Sequence, residues 1–113
     1  MIKKTLAAEG IRFSIAEQGR EVAHAYLYIM HNDLHQQPFG LMEDVYVEEQ
    51  HRAGGFGTQV LEALIAEAQE RGCYKLIGTS RFERPRVHEL YERLGFRKQG
   101  LEFRVDFDTT SEL

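Results

Sequence analysis

Three glycines stand within four positions, Gly54, Gly55 and Gly57, where one hydrophobic pattern gives way to another. Before them residues 41–48 alternate as a strand does. After them Phe56, Val60, Leu61, Leu64, Ile65 and Ala68 recur at helical spacing, and Gly72 supplies a stop, so a helix is expected over residues 55–71. A strand that passes into a helix through Arg52-Ala-Gly-Gly-Phe-Gly57-Thr58 leaves backbone N–H groups with little side chain in front of them. The helix adds the positive end of its macrodipole, and such a turn suits a pyrophosphate. The spacing is not that of a nucleotide triphosphatase loop, because no lysine follows Gly57. Nor is it the Gly-x-Gly-x-x-Gly of dinucleotide folds. An ordinary glycine-rich turn accounts for the same residues without a ligand.

The chain around this turn has 113 residues, enough for one domain over residues 1–113 with a single core. With 42% apolar and 28% charged residues it reads as globular, and no apolar run approaches the ~20 residues of a membrane helix. Met1-Ile-Lys-Lys4 is followed by no signal-peptide core, so a cytoplasmic protein is expected. The single cysteine, Cys73, permits no internal disulfide and reads as a buried small residue. A net charge of −4 argues against a nucleic-acid partner.

In order, residues 1–6 read as a short edge strand and residues 7–10 as a turn. Residues 11–17 alternate as a strand, and Gln18-Gly19-Arg20 makes a hairpin. Residues 21–32 form the next strand, with Ala23, Ala25, Leu27 and Ile29 on one face and Val22, Tyr26, Tyr28 and Met30 on the other. Two apolar faces place it inside a covered sheet. Residues 32–40 are a loop. In the strand at 41–48, Leu41, Glu43, Val45 and Val47 share a face opposite Met42, Asp44, Tyr46 and Glu48. Glu43 is then a carboxylate in an aliphatic row, either a proton acceptor whose pKa burial raises, or a rim carboxylate paired with an arginine.

Residues 73–79 form a short strand, parallel to the strand at 41–48 by the crossover rule. Pro85 opens a second helix that carries Val87, Leu90, Tyr91 and Leu94 on one face and ends at Gly95. Tyr91 points inward, either as plain core or with its hydroxyl offered to a ligand. Leu101, Phe103, Val105 and Phe107 alternate as a last strand, and residues 108–113 read as a frayed tail. His31 and His35 flank a loop without acidic or cysteine partners at ligand spacing, so no metal site is expected.

Two stretches together resemble the GNAT superfamily of N-acetyltransferases. Arg52-Ala-Gly-Gly-Phe-Gly57 is similar to that family's Arg/Gln-x-x-Gly-x-Gly/Ala motif, and Glu89-Leu-Tyr-Glu-Arg-Leu-Gly-Phe96 to its later Tyr-x-x-Leu-Gly-Phe motif. The resemblance runs from about residue 41 to residue 107. It implies a mixed, mostly antiparallel twisted sheet with two helices, splayed open after the strand at 41–48. It also implies acetyl-CoA, with pyrophosphate on the amides of Ala53, Gly54, Gly55, Phe56, Gly57 and Thr58 behind Arg52. The acetyl carbonyl would take an N–H from Val45, Tyr46 or Val47. Tyr91 matches the family's acid, and Glu43 stands where polyamine acetyltransferases of the family place a base, with water as the other choice.

Arg84 departs from a common asparagine, but Arg84-Pro85 and His88-x-x-Tyr91 fit a subset of the family. Nothing helical is expected before Gly55, so the helical wall of the family's acceptor site is missing. Either that site is open to a bulky peptide or protein amine, or a homodimer closes it; the dimer is preferred. The leading expectation is an acetyl-CoA-dependent N-acetyltransferase acting on a primary amine of a small molecule, peptide or protein. The alternative is a non-catalytic acyl-CoA-binding module.

Overall fold

The computed structural model describes residues 1–108. Four strands, β1 (Ala8–Glu17), β2 (Arg20–Met30), β3 (Phe39–Val47) and β4 (Leu76–Gly78), form one sheet in the order β1-β2-β3-β4. The first three run antiparallel, and β4 lies parallel to β3. Helix α1 (Phe56–Glu70) crosses from β3 to β4, and α2 (Pro85–Arg93) follows β4. A single 3₁₀ turn at Glu49–His51 is the one helical piece before Gly55 among the described residues. The expected mixed sheet with two helices is therefore present.

The hairpin between β1 and β2 turns at Gln18 and Gly19, with φ of 54° and 75°, the mirror-image turn that matches strand twist. Across it Arg12 grips Glu21 with two hydrogen bonds of 2.7 Å. Opposite that sheet, α1 buries Val60, Leu61, Leu64 and Ala68 against Ala25, Leu27, Ile29 and Met42. Each such large side chain removed from water contributes about 1.5–3 kcal/mol. Both helices end alike. Gly72 (φ 78°) donates to Gln69 O while Cys73 donates to Ala68 O; Gly95 (φ 103°) donates to Glu92 O while Phe96 donates to Tyr91 O. These paired bonds satisfy carbonyls that a helix end otherwise leaves open.

Several expectations need correction. Residues 1–7 form no strand, and β1 begins at Ala8 inside the expected turn, since Ala8, Glu9 and Gly10 pair with Met30, Ile29 and Tyr28. Strand β2 is internal to the sheet, but only one face is covered; on the other, Tyr28 remains exposed. Val22 does not share that open face. The register slips between Ile15 and Ala16, which makes Val22 an extra residue and turns it into the core at 1% exposure. The strand expected at 101–107 is absent: those residues lie unpaired, and Leu101, Phe103, Val105 and Phe107 are exposed. Of the expected frayed tail, residues 109–113 fall outside the described residues.

Candidate active site

The site is set by an irregularity in β3. His24 pairs with Tyr46 and Tyr26 with Glu43, so Asp44 and Val45 together stand opposite the single Ala25. This is a β-bulge, and Asp44 takes the left-handed conformation (φ 49°) that aspartate tolerates better than most residues. The extra residue shifts the phase of the strand. Met42 is buried and Val45 packs against the same core, whereas Glu43 lies on the opposite face with its cross-strand neighbour Tyr26. Glu43 is thus not in an aliphatic row with Val45 and Val47, because a strict alternation over 41–48 ignores the bulge.

The bulge also marks where the sheet opens. Strand β4 pairs with β3 only through Gly40, Leu41 and Met42, so from Glu43 to Val47 no strand among the described residues covers that edge. Beyond Val47 the chain reaches the glycine turn. Gly55 caps α1 at φ 81°, a conformation costly for side-chain-bearing residues, and no side chain caps the helix. The first N–H groups of α1, at Phe56, Gly57 and Thr58, therefore lack helical partners, and no acidic residue sits in the first turn. Arg52 does not reach outward with all of its guanidinium: its Nε donates to Val47 O at 3.0 Å, tying the loop to the end of β3. Gly54 N donates back to His51 O.

Helix α2 brings the second motif to the same place. A Leu90 methyl lies 3.7 Å from where a Cβ on Gly57 would stand, so α2 abuts the start of α1. Tyr91, next to Leu90, packs its ring on Phe96 at 5.4 Å and is half-buried. Burial pushes its pKa above the usual phenol value; the Arg84 cation opposes this and the Glu43 carboxylate adds to it. The Glu43 carboxyl is itself pushed up, first by burial, then by Asp44 and Glu102, with Arg104 opposing. Glu43 enters no ion pair among the described residues, and Arg104 pairs with Asp106 instead.

The residues fit an acyl-CoA. Uncapped amides follow a turn in which a Cβ on Gly55 would meet nothing within 4 Å, and Ser80 follows β4 at the same end of the parallel pair with its buried hydroxyl unpartnered. That end of an open sheet is where ligands bind. A hollow of about 410 Å³ lined by Glu17, Gln18, Arg20, Val22 and His51 borders the turn only at His51 and reaches neither Glu43 nor Tyr91. Among the described residues no three His, Cys, Asp or Glu side chains are grouped to hold a metal; His35 stacks on Tyr74 at 4.4 Å. Cys73 is half-buried and its thiol pKa is raised by burial. No helix among the described residues is long and apolar enough to cross a membrane.

Sequence reasoning missed three participants. Asp44, an aspartate inside a strand, was the available signal for a bulge. Arg84, read through its fit to the Arg-Pro pattern and as one of an arginine cluster with Arg81 and Arg86 that could touch the ribose phosphate of coenzyme A, or simply be solvated, also acts to lower the Tyr91 pKa. Leu90 joins the two motifs and carries no signal beyond its helical phase.

Comparison with known proteins agrees with this geometry. Residues 2–96 match the profile of the Acetyltransferase (GNAT) family. An aminoglycoside N(6')-acetyltransferase type 1 of Stenotrophomonas maltophilia is 32% identical over 79% of this chain and 61% of its own. A probable glucosamine 6-phosphate N-acetyltransferase of Oryza sativa subsp. japonica is 34% identical over 60% of this chain and 39% of its own. The chain thus spans about three fifths or less of the length of these relatives. A Trypanosoma brucei acetyltransferase crystal structure superposes with a TM-score of 0.79 at 30% identity, covering 87% of this chain and 69% of that one. The bulged strand, the uncapped glycine turn and the facing tyrosine are therefore features of a chain that belongs to the GNAT family of acetyltransferases.

Proposed function

We propose that this protein transfers an acetyl group from acetyl-CoA to a primary amine by direct attack. The observation that carries the reading is the half-buried Tyr91, whose phenol burial pushes above its usual pKa with the Glu43 carboxylate adding to it, on a helix that abuts the glycine turn through Leu90. Bound acetyl-CoA supplies the activated acetyl group and the thiolate leaving group. The amides of Ala53, Gly54, Gly55, Phe56, Gly57 and Thr58 would hold its pyrophosphate, with Arg52 fixing the loop against β3. Within Val45, Tyr46 and Val47, a backbone N–H that points to the uncovered edge would stabilise charge on the acetyl oxygen. Glu43, or a water it orders, takes the proton of the attacking amine. Tyr91 gives its proton to the departing sulfur.

An amino sugar is the first acceptor to try, because two of the relatives are described as acting on aminoglycosides and glucosamine 6-phosphate. Peptide amines come next, and no nucleic acid is expected. The half-buried single thiol suits a reducing, cytoplasmic setting. The assembly is a homodimer. The test follows free thiol from acetyl-CoA across a panel of amino sugars, polyamines and peptides, with Tyr91→Phe in parallel. Thiol release dependent on one amine class and slowed about 10²-fold in Tyr91→Phe is the expected result. Heat protection by acetyl-CoA without turnover on any amine would replace the enzyme with a non-catalytic acyl-CoA-binding module.

A further inference from the structure

The glycine turn is held at its two ends by different means. At the helix end Phe56 leads into α1, whose inner face lies in the core. At the strand end, residues 49–55 bury no side chain, and their own bonds are local. His51 N donates to Glu48 O at 2.8 Å, Arg52 N to Glu49 O at 3.3 Å and Gly54 N to His51 O at 3.1 Å. A stretch with two adjacent glycines and no apolar anchor has much conformational freedom to lose when it is fixed.

Glu48 is where this stretch meets the hairpin. Its N–H donates to Val22 O at 2.8 Å, and its carboxylate accepts from Arg20, which opens β2 just past the Gln18-Gly19 turn. The same carboxylate oxygen accepts from Gln50 Nε2 at 2.5 Å and lies 3.5 Å from His51 Nδ1. One side chain thus gathers the hairpin and two residues of the turn. His51 in its turn sets its ring 5.9 Å from that of Phe56. The Glu48 side chain is only 16% exposed, which favours a charged hydrogen bond, whereas Arg20 is 63% exposed. The Arg20 cation, ahead of Gln50, holds the Glu48 carboxyl below its ordinary pKa. The hollow lined by Glu17, Gln18, Arg20, Val22 and His51 lies between hairpin and turn, so a polar tie spans a place that apolar packing does not fill.

We infer that Arg20 and Glu48 are positioning residues for the coenzyme: their ion pair braces the glycine turn in the arrangement that receives the pyrophosphate. They act through the turn and not by contact with the ligand, and the inference rests on the acyl-CoA reading of that turn. A turn that spends part of its time outside the binding arrangement binds more weakly in proportion to that part, and once occupied it leaves the chemistry as it was. The loss therefore falls on coenzyme affinity and not on kcat.

The test is calorimetry with acetyl-CoA on the full chain, together with hydrogen exchange. Arg20→Ala and Glu48→Ala should each weaken acetyl-CoA binding about tenfold, the scale of one charged hydrogen bond with an exposed partner. The double variant should lose no more than either single one, because both break the same tie. Arg20→Lys, which keeps the cation, should restore most of the affinity. Amides of His51, Arg52 and Gly54 should exchange faster in the Ala variants, while those of Leu61 and Leu64 keep wild-type protection. Where thiol release is followed, KM for acetyl-CoA should rise with kcat unchanged. Wild-type affinity in Arg20→Ala overturns the inference, and that arm does not depend on Glu48→Ala folding. Losses that add in the double variant, or that come with lost protection at Leu61 and Leu64, overturn it too. A wild type that binds no acetyl-CoA overturns the coenzyme reading and the brace with it. A wild type that binds acetyl-CoA tightly but releases thiol to no amine overturns the transferase alone, and the brace is then decided by the affinity of Arg20→Ala.

Discussion

The two helices differ in how they are held. Helix α1 sinks four side chains fully into the core, whereas α2 buries none completely and is held by half-buried Leu90, Tyr91 and Leu94. Every fully buried apolar residue among those described belongs to β2, β3 or α1. Yet the site proposed here would take its anion cradle from the start of α1 and its proton donor from α2. The difference teaches that one half of the site is as firm as the core, while the other rests on a small apolar contact with that half. Such lightly packed elements open locally at lower free energy than the core does.

The largest effect that would sharpen this contrast is Leu64→Ala. It removes a side chain with no exposure and should cost about 2–5 kcal/mol, seen in urea unfolding. Leu90→Ala should cost less stability and show its effect first in thiol release. Equal losses would break the comparison. Next is Tyr91→Phe, expected to slow thiol release about 10²-fold, or about 2.7 kcal/mol, with little change in melting temperature; a rate unchanged within twofold would remove Tyr91 from the chemistry. Gly55→Val follows, because a β-branched residue at φ 81° pays roughly 1–2 kcal/mol and crowds the cradle. Calorimetry should show weaker acetyl-CoA binding as well as lower stability, and a loss of stability alone would count against the cradle.

The smallest effect concerns pH. The Glu43 carboxyl has its pKa raised in the folded chain, chiefly by burial. The fold therefore binds that proton more tightly than the unfolded chain, and stability falls as pH rises from the unfolded value of about 4.3 through the raised folded one. Glu43→Gln should consequently gain in melting temperature relative to wild type between acidic and neutral pH. The same variant should lose the rise in thiol release that the wild type shows as Glu43 deprotonates. A rate profile of unchanged shape would assign the base to water.

Much of this was legible in the sequence because it was local. Gly72 and Gly95 announced both helix ends, Gln18-Gly19 announced the hairpin, and the strand-helix-strand order announced the parallel pair. The positions of the glycine turn and of Tyr91 were legible for the same reason. The bulge was not, since a slip of one residue against β2 depends on what the neighbouring strand offers, and it moved Glu43 and Val45 onto different faces. Nor was the fate of residues 101–107: their alternation names a strand, but pairing is a property of whatever lies alongside.

Two residues face one at Ala25, and that inequality behaves as a spacer of fixed size. Deleting Asp44 would make the count even, restore the unbroken alternation and let the strand continue as ordinary sheet. The opening after Met42 is thus encoded by arithmetic in the backbone more than by the chemistry of any side chain. A chain could lose it by a single codon while keeping every residue assigned to the reaction.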